Sequence, residues 1–515
     1  MSNDLLWLVV GLQLIMGASD TILHHEFTER LAWQPSARRE LQLHAARNLI
    51  YALLFAGFAF GEPFGICASI AMAFILAEVL ITLWDFVEED LSRKLPATER
   101  VLHTLLALNY GAILALLMPV LYNNSLQPTA YAPVNYGLGS YALLGASLGV
   151  LFFGVRDYLA AMRASHLGRP DPAELAAKLR KHQHILITGA TGFIGSRLTR
   201  ALLANGHNIT VLTRDPKKAA QLGTPIKIIQ SLNEIEDHAA MDAIINLAGE
   251  PLSTGLWTKA KREKIIQSRL TVLEEINTLC TRLYVPPKTI ITASAIGWYG
   301  LRGDEKLDET SDAKPSLNQK PVFTHEVCRA VEAKADELNQ FGCRIVKLRI
   351  GLVLGTEGGM LANLLVPFEY GLGGPIGSGR QWMSWIDLDD VIRLIIHSLS
   401  TPKLNGPVNA VAPTPVTNRA FAKALGKALH RPSALPLPAM PLRLALGDFA
   451  EELLLGGQRV HPVKAEQSGF KFRSPTIEAA LQAAIPIKAD RQVRKGSSQN
   501  AHENIICENH HGPVN

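Results

Sequence analysis

Hydrophobic and polar positions divide this chain into two parts with different periods. In residues 1–160 five apolar stretches follow one another: Leu5–Ile22, Asn48–Gly61, Phe64–Trp84, Val101–Tyr122 and Leu138–Val155. A bilayer-crossing helix needs about 20 apolar residues. The pattern therefore predicts an all-α transmembrane domain of about five helices, the second lengthened by Leu41–Arg47. Gly61-Glu62-Pro63 predicts a tight hairpin into the third. From residue 183 the pattern changes to short buried runs alternating with amphipathic stretches. His184–Thr188, Asn208–Leu212, Ala243–Gly249 and Thr289–Ala293 read as buried strands, and Ser196–Asn205 and Val391–Leu399 as helices. That alternation predicts an α/β doubly wound parallel sheet of Rossmann type, with a smaller C-terminal substrate subdomain. Residues 161–182, with Pro170 and Pro172, read as a linker; 183–487 as the α/β domain; 488–515 as a polar, disordered tail.

Composition sharpens the division. The chain of 515 residues has a net charge of only +5, and no basic run interleaved with aromatics, so nucleic acid is excluded as a partner. The five cysteines are scattered, with no pairing pattern of a disulfide framework or zinc site. Basic residues mark alternate loops: Arg30, Arg38, Arg39 and Arg47, then Arg93, Lys94 and Arg100, then Arg156, Arg163 and Arg169. The positive-inside rule then puts the α/β domain in the cytoplasm. The implied location is the inner (cytoplasmic) membrane, multi-pass, with the lipid bilayer as a partner.

Ionisable residues gather on that same side: Asp20, His24, His25, Glu26, Glu40, His44, Asp85, Glu88, Glu89, Asp90 and His103, with Glu78 deeper. Histidines and carboxylates from several helices are metal ligands in kind. Charge clusters usually lie on wet surfaces, so these read as solvated interfacial charges and no metal ligand is assigned.

The α/β part carries its chemistry in one contiguous motif. The strand His184–Thr188 runs into Gly189-Ala190-Thr191-Gly192-Phe193-Ile194-Gly195 and then a helix. The first glycine permits the turn, the second lets backbone approach a pyrophosphate, and the third lets helix pack on strand. The helix N-terminus offers free N–H groups to phosphates. Strand, loop and helix together make this a strong dinucleotide signal. Arg214, after the next strand, is suited to a ribose 2′-phosphate, so NADP(H) is expected, with NAD(H) as the alternative. Asn246, Ala248 and Gly249 end the strand that borders the adenosine side.

These residues together resemble the extended short-chain dehydrogenase/reductase superfamily. Leu256-Trp257-Thr258, Ser268-Arg269, Ser294–Gly300, Val327-Cys328-Arg329 with Glu332, Gly379–Asp387 and Leu453–Pro475 narrow it further. The chain is similar to the atypical nucleotide-sugar-epimerase-like branch, whose bacterial members are often called SulA-like or cell-division-inhibitor-like epimerases. The resemblance covers about Gln183 to Ile485, and the membrane part reads as a fused module.

Typical members use a Tyr, a Lys four residues later, and a Ser or Thr, the Lys lowering the Tyr pKa. Counted from Glu332, the Lys slot holds Cys328 and the Tyr slot Thr324; the Ser slot holds Ala295, beside Ser294. Ser294 and Tyr299 are the catalytic candidates, with His325 and Cys328 as further proton carriers. Arg380, Trp382 and Trp385 beside a Gly-rich loop suit an apolar substrate with a polar head, or pack that loop onto the domain. Asp389-Asp390 is expected to cap the helix that follows. The resemblance and the apolar N-terminal stretches together lead to the expectation of a membrane-anchored NADP(H)-dependent oxidoreductase or epimerase-like enzyme on a small-molecule or lipid-like substrate; the missing Tyr/Lys pair leaves a non-catalytic NADPH-binding regulator or scaffold as the alternative.

Overall fold

The computed structural model describes residues 4–93, 95–165, 167, 169–180, 182–314 and 322–485. The expected disordered tail lies outside the described residues. The chain forms two compact units, Met1–Gly168 and Arg169–Asn515.

The first unit is helical. Helix α1 (Asp4–Ser19) continues as a π-helical segment, Asp20–Thr28. Helices α2 (Arg38–Ala59), α3 (Ile66–Ser92), α4 (Ala97–Ser125) and α5 (Leu138–Ala164) follow. The expected hairpin at Gly61-Glu62-Pro63 is strand β1 (Gly61–Phe64), paired antiparallel with β2 (Ala130–Pro133). Leu6, Phe58, Ile75, Ile113, Leu117, Leu121 and Leu143 form the apolar core between the helices. Among the described residues, four helices, not five, are long and apolar enough to cross a membrane by length and composition. The one left out is α2, whose first turns carry Arg38, Arg39, Glu40, His44 and Arg47.

The expectation of solvated interfacial charges is overturned. Asp20, His24, His25, Glu26, Glu40, His44, Glu78, Asp85, Glu89 and Glu99 are all buried. Buried charges call for partners, and several have them: the Arg93 guanidinium lies 2.9 Å from Glu40 and 2.7 Å from Glu99, Arg47 lies 2.9 Å from Asp85, and Glu78 accepts from the Tyr51 and Thr82 hydroxyls.

The second unit is built on a seven-stranded parallel sheet. Its strands are β3 (His184–Thr188), β4 (Asn208–Leu212), β5 (Ile226–Ile229), β6 (Ala243–Asn246), β7 (Thr289–Ala295), β8 (Arg344–Ile350) and β9 (Gly406–Ala410). Their order is β9-β8-β7-β6-β3-β4-β5. Helices α6 (Phe193–Ala204), α7 (Lys259–Arg282), α8 (Phe323–Asp336) and α9 (Leu388–Ser400) are among those that connect them. One core holds Ile185, Ile187, Leu198, Leu202, Ile392 and Ile395; the other holds Leu186, Ile244, Ile276 and Ile290. Alternate residues of β3 thus enter opposite cores, because side chains alternate along a strand.

Two local expectations change. The predicted linker is partly folded: Leu175, Ala176 and Leu179 are buried in the first of these cores, and Arg169 is 3.0 Å from Asp387. The cap of α9 is Asp387, which accepts from the Asp389 N–H at 2.8 Å. Asp389 instead takes the Arg197 guanidinium, and Asp390 accepts from the Arg473 and Ser474 N–H groups.

Candidate functional site

Parallel strands share one C-terminal edge, and here the chain reverses direction across the sheet between β3 and β6. Ligand crevices in open α/β sheets form at that switch point. The loop after β3 and the loop after β6 meet there. Gly189 has φ +72°, and a Cβ on it would lie 2.6 Å from the Leu247 carbonyl. A Cβ on Gly195 would lie 2.2 Å from the Gly189 carbonyl oxygen. Both glycines are therefore required by backbone packing.

Gly192 opens α6 with extended backbone and no side-chain cap. The first N–H groups of a helix have no intrahelical partner, so Phe193, Ile194 and Gly195 present donors beside Thr191 at the crevice. This fits a pyrophosphate: the donor set is backbone, and no carboxylate competes for it. The Phe193 ring does another task, filling the space left by Gly355, Gly358 and Gly359.

Asn246 is committed to the sheet. It accepts from Thr188 Oγ1 at 2.6 Å and donates to Thr292 Oγ1 at 3.1 Å, cross-linking β3, β6 and β7. The following Ala248 and Gly249 form the crevice wall; a Cβ on Gly249 would strike the Arg269 guanidinium at 2.7 Å. Arg269 in turn donates to the Glu250 carbonyl at 3.0 Å, so it props this loop from behind.

Arg214 and Asp215 follow β4. Asp215 is used locally, its carboxylate accepting from the Lys218 N–H at 3.1 Å as a helix cap. Arg214 is exposed and makes no hydrogen bond or ion pair among the described residues.

The end of β7 holds a buried polar chain. Ser294 Oγ donates to Glu332 Oε1 at 2.8 Å. Glu332 on α8 takes the Arg349 guanidinium through two bonds of 2.9 Å. Arg349 also donates to the Tyr299 hydroxyl at 3.0 Å and stacks 3.3 Å from the Trp298 ring centroid. Tyr299 donates to Asn409 Oδ1 at 2.8 Å and has no exposed surface. Burial pushes its phenol up to about 12, with Arg349 opposing. Tyr299 is thus a neutral structural tie, not a base at neutral pH. Burial also raises the Cys328 thiol to about 11, which removes it as a nucleophile. Thr324, in the Tyr slot, donates to Glu452 at 2.9 Å. His325 Nδ1 lies 2.7 Å from the Trp298 carbonyl, and burial lowers its pKa. Only Ser294, among the two catalytic candidates, retains a hydroxyl at the sheet edge.

The substrate candidates separate. Trp385 is fully buried, its indole N–H on the Thr414 carbonyl at 3.1 Å, and packs the domain. Trp382 is half-buried, donates to Asp304 at 2.6 Å and is stacked by Arg459. Arg380 is exposed. Arg349 and Glu452 escaped the sequence reading. Arg349 is one of three basic residues in its strand, with Arg344 and Lys347, and Glu452 reaches the N-terminus of α8 from 128 residues away. Neither has a local signal.

A model of the NAD dependent epimerase/dehydratase family matches residues 185–411, and a domain of unknown function (DUF1731) matches residues 437–484. An epimerase family protein of Mycobacterium bovis is 38% identical over 300 residues, covering 58% of this chain and 96% of that protein. The chain belongs to this epimerase family. A chloroplastic epimerase family homologue from Arabidopsis thaliana is 38% identical over 309 residues, covering 58% of this chain and 86% of that protein. The crystal structure of a human epimerase family protein with NADPH superposes with a TM-score of 0.53 at 31% identity, over 59% of this chain and 99% of that one. The second unit is accordingly an NAD(P)-dependent enzyme of epimerase or oxidoreductase type, not a bare scaffold.

Membership also corrects the membrane reading. The match takes up nearly the whole of the bovis and human relatives, and the family models place it within residues 185–484. In those two relatives the matched domain is nearly the whole protein, so the likeness brings no membrane component with it. The fused multi-span domain, the transmembrane layer of the fold class, the membrane-anchored function, the bilayer partner and the inner-membrane location are all without support from it. Those expectations rested on helix length and apolarity, which measure a capacity to span and not residence in a bilayer. The lipid-like substrate rested on the anchor and falls with it.

Proposed function

We propose that the second unit is an NADP(H)-preferring oxidoreductase or epimerase-like enzyme acting on a small molecule at the C-terminal edge of β7. The observation that carries the preference is the division of labour between neighbours: Asp215 is spent as a helix cap, while Arg214 stands exposed and unpaired among the described residues. An acidic side chain turned to the ribose would favour NAD(H); a guanidinium there favours a 2′-phosphate. Gly189, Thr191, Gly192, Phe193, Ile194 and Gly195 supply the turn and donors for the pyrophosphate, and Ala248 and Gly249 the adenosine wall. When bound, the nicotinamide supplies hydride chemistry.

Ser294 is the group that orients substrate. Its O–H donates to Glu332, which leaves its lone pairs to accept from a substrate hydroxyl. The Glu332–Arg349 pair fixes that orientation from beneath. Tyr299 holds the base of the network. Trp382 and Arg380 border the substrate side, and Trp385 stays in the core.

Titration of the intact chain with NADPH and NADH tests the cofactor reading. NADPH should bind more tightly, and Arg214→Ala should weaken NADPH about 10–100-fold, the scale of a charged hydrogen bond, while leaving NADH nearly unchanged. Equal affinity for both cofactors, unaltered by the substitution, would refute it. Ser294→Ala should leave NADPH affinity intact and lower turnover of any substrate found about 100-fold, the lower end for proton-handling groups.

A further inference from the structure

The first unit lies outside the residues that the family models match, yet it holds the densest set of metal-ligating side chains in the described chain. We propose that Asp20, His25, Glu99 and His103 form a binding site for a divalent first-row transition ion, with two nitrogen and two oxygen ligands.

Spacing along the helices is what brings these groups together. Asp20 and His25 lie five residues apart on the π-helical segment. A π-turn closes i→i+5 bonds, so it aligns such residues, and π segments recur at functional sites. Glu99 and His103 lie four apart on α4 and share a face of an α-helix. One ligand atom from each residue falls within 4.8 Å of all the others. His103 Nε2 is 3.0 Å from Asp20 Oδ2; His25 Nε2 is 3.4 Å from the same oxygen and 3.7 Å from Glu99 Oε1. Bonds of about 2.0–2.1 Å to a tetrahedral ion put ligand atoms about 3.3 Å apart, which these separations bracket.

Two further observations favour an ion over a closed ion-pair network. His25 Nε2 is buried without a hydrogen-bond partner, on a residue only 8% exposed. The ligands are also held from outside. His103 Nδ1 faces Glu89 at 3.4 Å, a carboxylate–histidine pair of the kind that orients metal ligands. His24 holds Asp20 Oδ1 at 2.9 Å, which turns Oδ2 toward the site. Arg93 forks onto both oxygens of Glu99 at 2.9 and 2.7 Å. His44 stacks on His25 with ring centroids 4.7 Å apart and nearly parallel planes.

A cavity of about 430 Å³ borders the set, with Asp20, His25 and His103 in its wall beside Tyr51, Phe86 and Tyr110. The cavity gives an ion a way in, and four protein ligands close a tetrahedral sphere, as in structural sites.

Co²⁺ is the probe, since its visible bands report coordination directly. The intact chain, held in mild detergent to cover its exposed apolar side chains and stripped with chelator, is titrated with Co²⁺ and then with Zn²⁺ in competition. One Co²⁺ per chain with visible bands, displaced by Zn²⁺, is expected. His25→Gln and His103→Gln should each weaken binding more than 100-fold, and Glu89→Gln about 10–100-fold as an outer partner. Far-UV circular dichroism checks that each variant keeps its helices. Absence of bands in the unsubstituted chain overturns the proposal without recourse to any variant. So does binding that survives His103→Gln but is lost in His44→Gln, which would move the ion to the neighbouring set of His25, His44 and Glu89.

Discussion

The two units organise polar chemistry in opposite ways. In the second, the residues proposed to hold the pyrophosphate are consecutive: the end of a strand, Gly189–Gly195 and a helix N-terminus. In the first, the polar residues come from α2, α3, α4 and the π-helical end of α1, and Asp20 meets His103 across 83 positions. A phosphate is bound by backbone at one chain reversal, so a short segment suffices. A cluster of buried side chains needs several helices to deliver one group each.

Substitutions should therefore act differently in each. The largest effect is expected for Arg93→Met in the first unit. It strands Glu40 and Glu99, both with no exposed surface, and breaking a buried pair costs about 3–5 kcal/mol. Thermal unfolding followed by circular dichroism should show that loss, with NADPH affinity unchanged. A parallel loss of NADPH binding would break the contrast.

Arg349→Met makes the same cut in the second unit. The penalty should fall toward the lower end, about 3 kcal/mol, because Lys347 lies 3.9 Å from Glu332 and remains as a partner. Denaturant unfolding of the second unit reads it. A neutral outcome would mean that the Ser294–Glu332–Arg349 chain is not held as described.

Gly195→Val is smaller in stability and larger in function. The added Cβ meets backbone, not a side chain that can move. Overpacking costs about 1–3 kcal/mol, and the displaced loop should abolish detectable NADPH binding by fluorescence titration. Retained binding would show that the loop tolerates a shift.

The smallest effect is a pH slope. Burial lowers the pKa of His207, His325, His397 and His461 in the second unit. A histidine with a depressed folded pKa gives stability that is present above its unfolded value, about 6.5, and is lost as pH falls through the folded value. Melting temperature of the second unit should decline from pH 6.5 downward, and His325→Gln should flatten the decline by one group's share.

The sequence by itself determined what depends on neighbours along the chain. The strand and loop of the dinucleotide motif and the parallel α/β class were legible, because turn geometry and side-chain period are local; the expected tight turn at Gly61–Pro63 is instead a strand whose partner, Ala130–Pro133, is distant in sequence. Tertiary structure alone decided what depends on partners. Asn246 became a sheet cross-link and Tyr299 a buried tie because β7, β8 and β9 deliver Thr292, Arg349 and Asn409 to them. Trp385 went into the core while Trp382, three residues earlier, stayed half-buried, since the two sit on different short strands. Arg93 turned a row of apparent surface carboxylates into a buried network. Residue type told that these groups could bind water, a proton or a metal; only packing, by removing the water, left the other two.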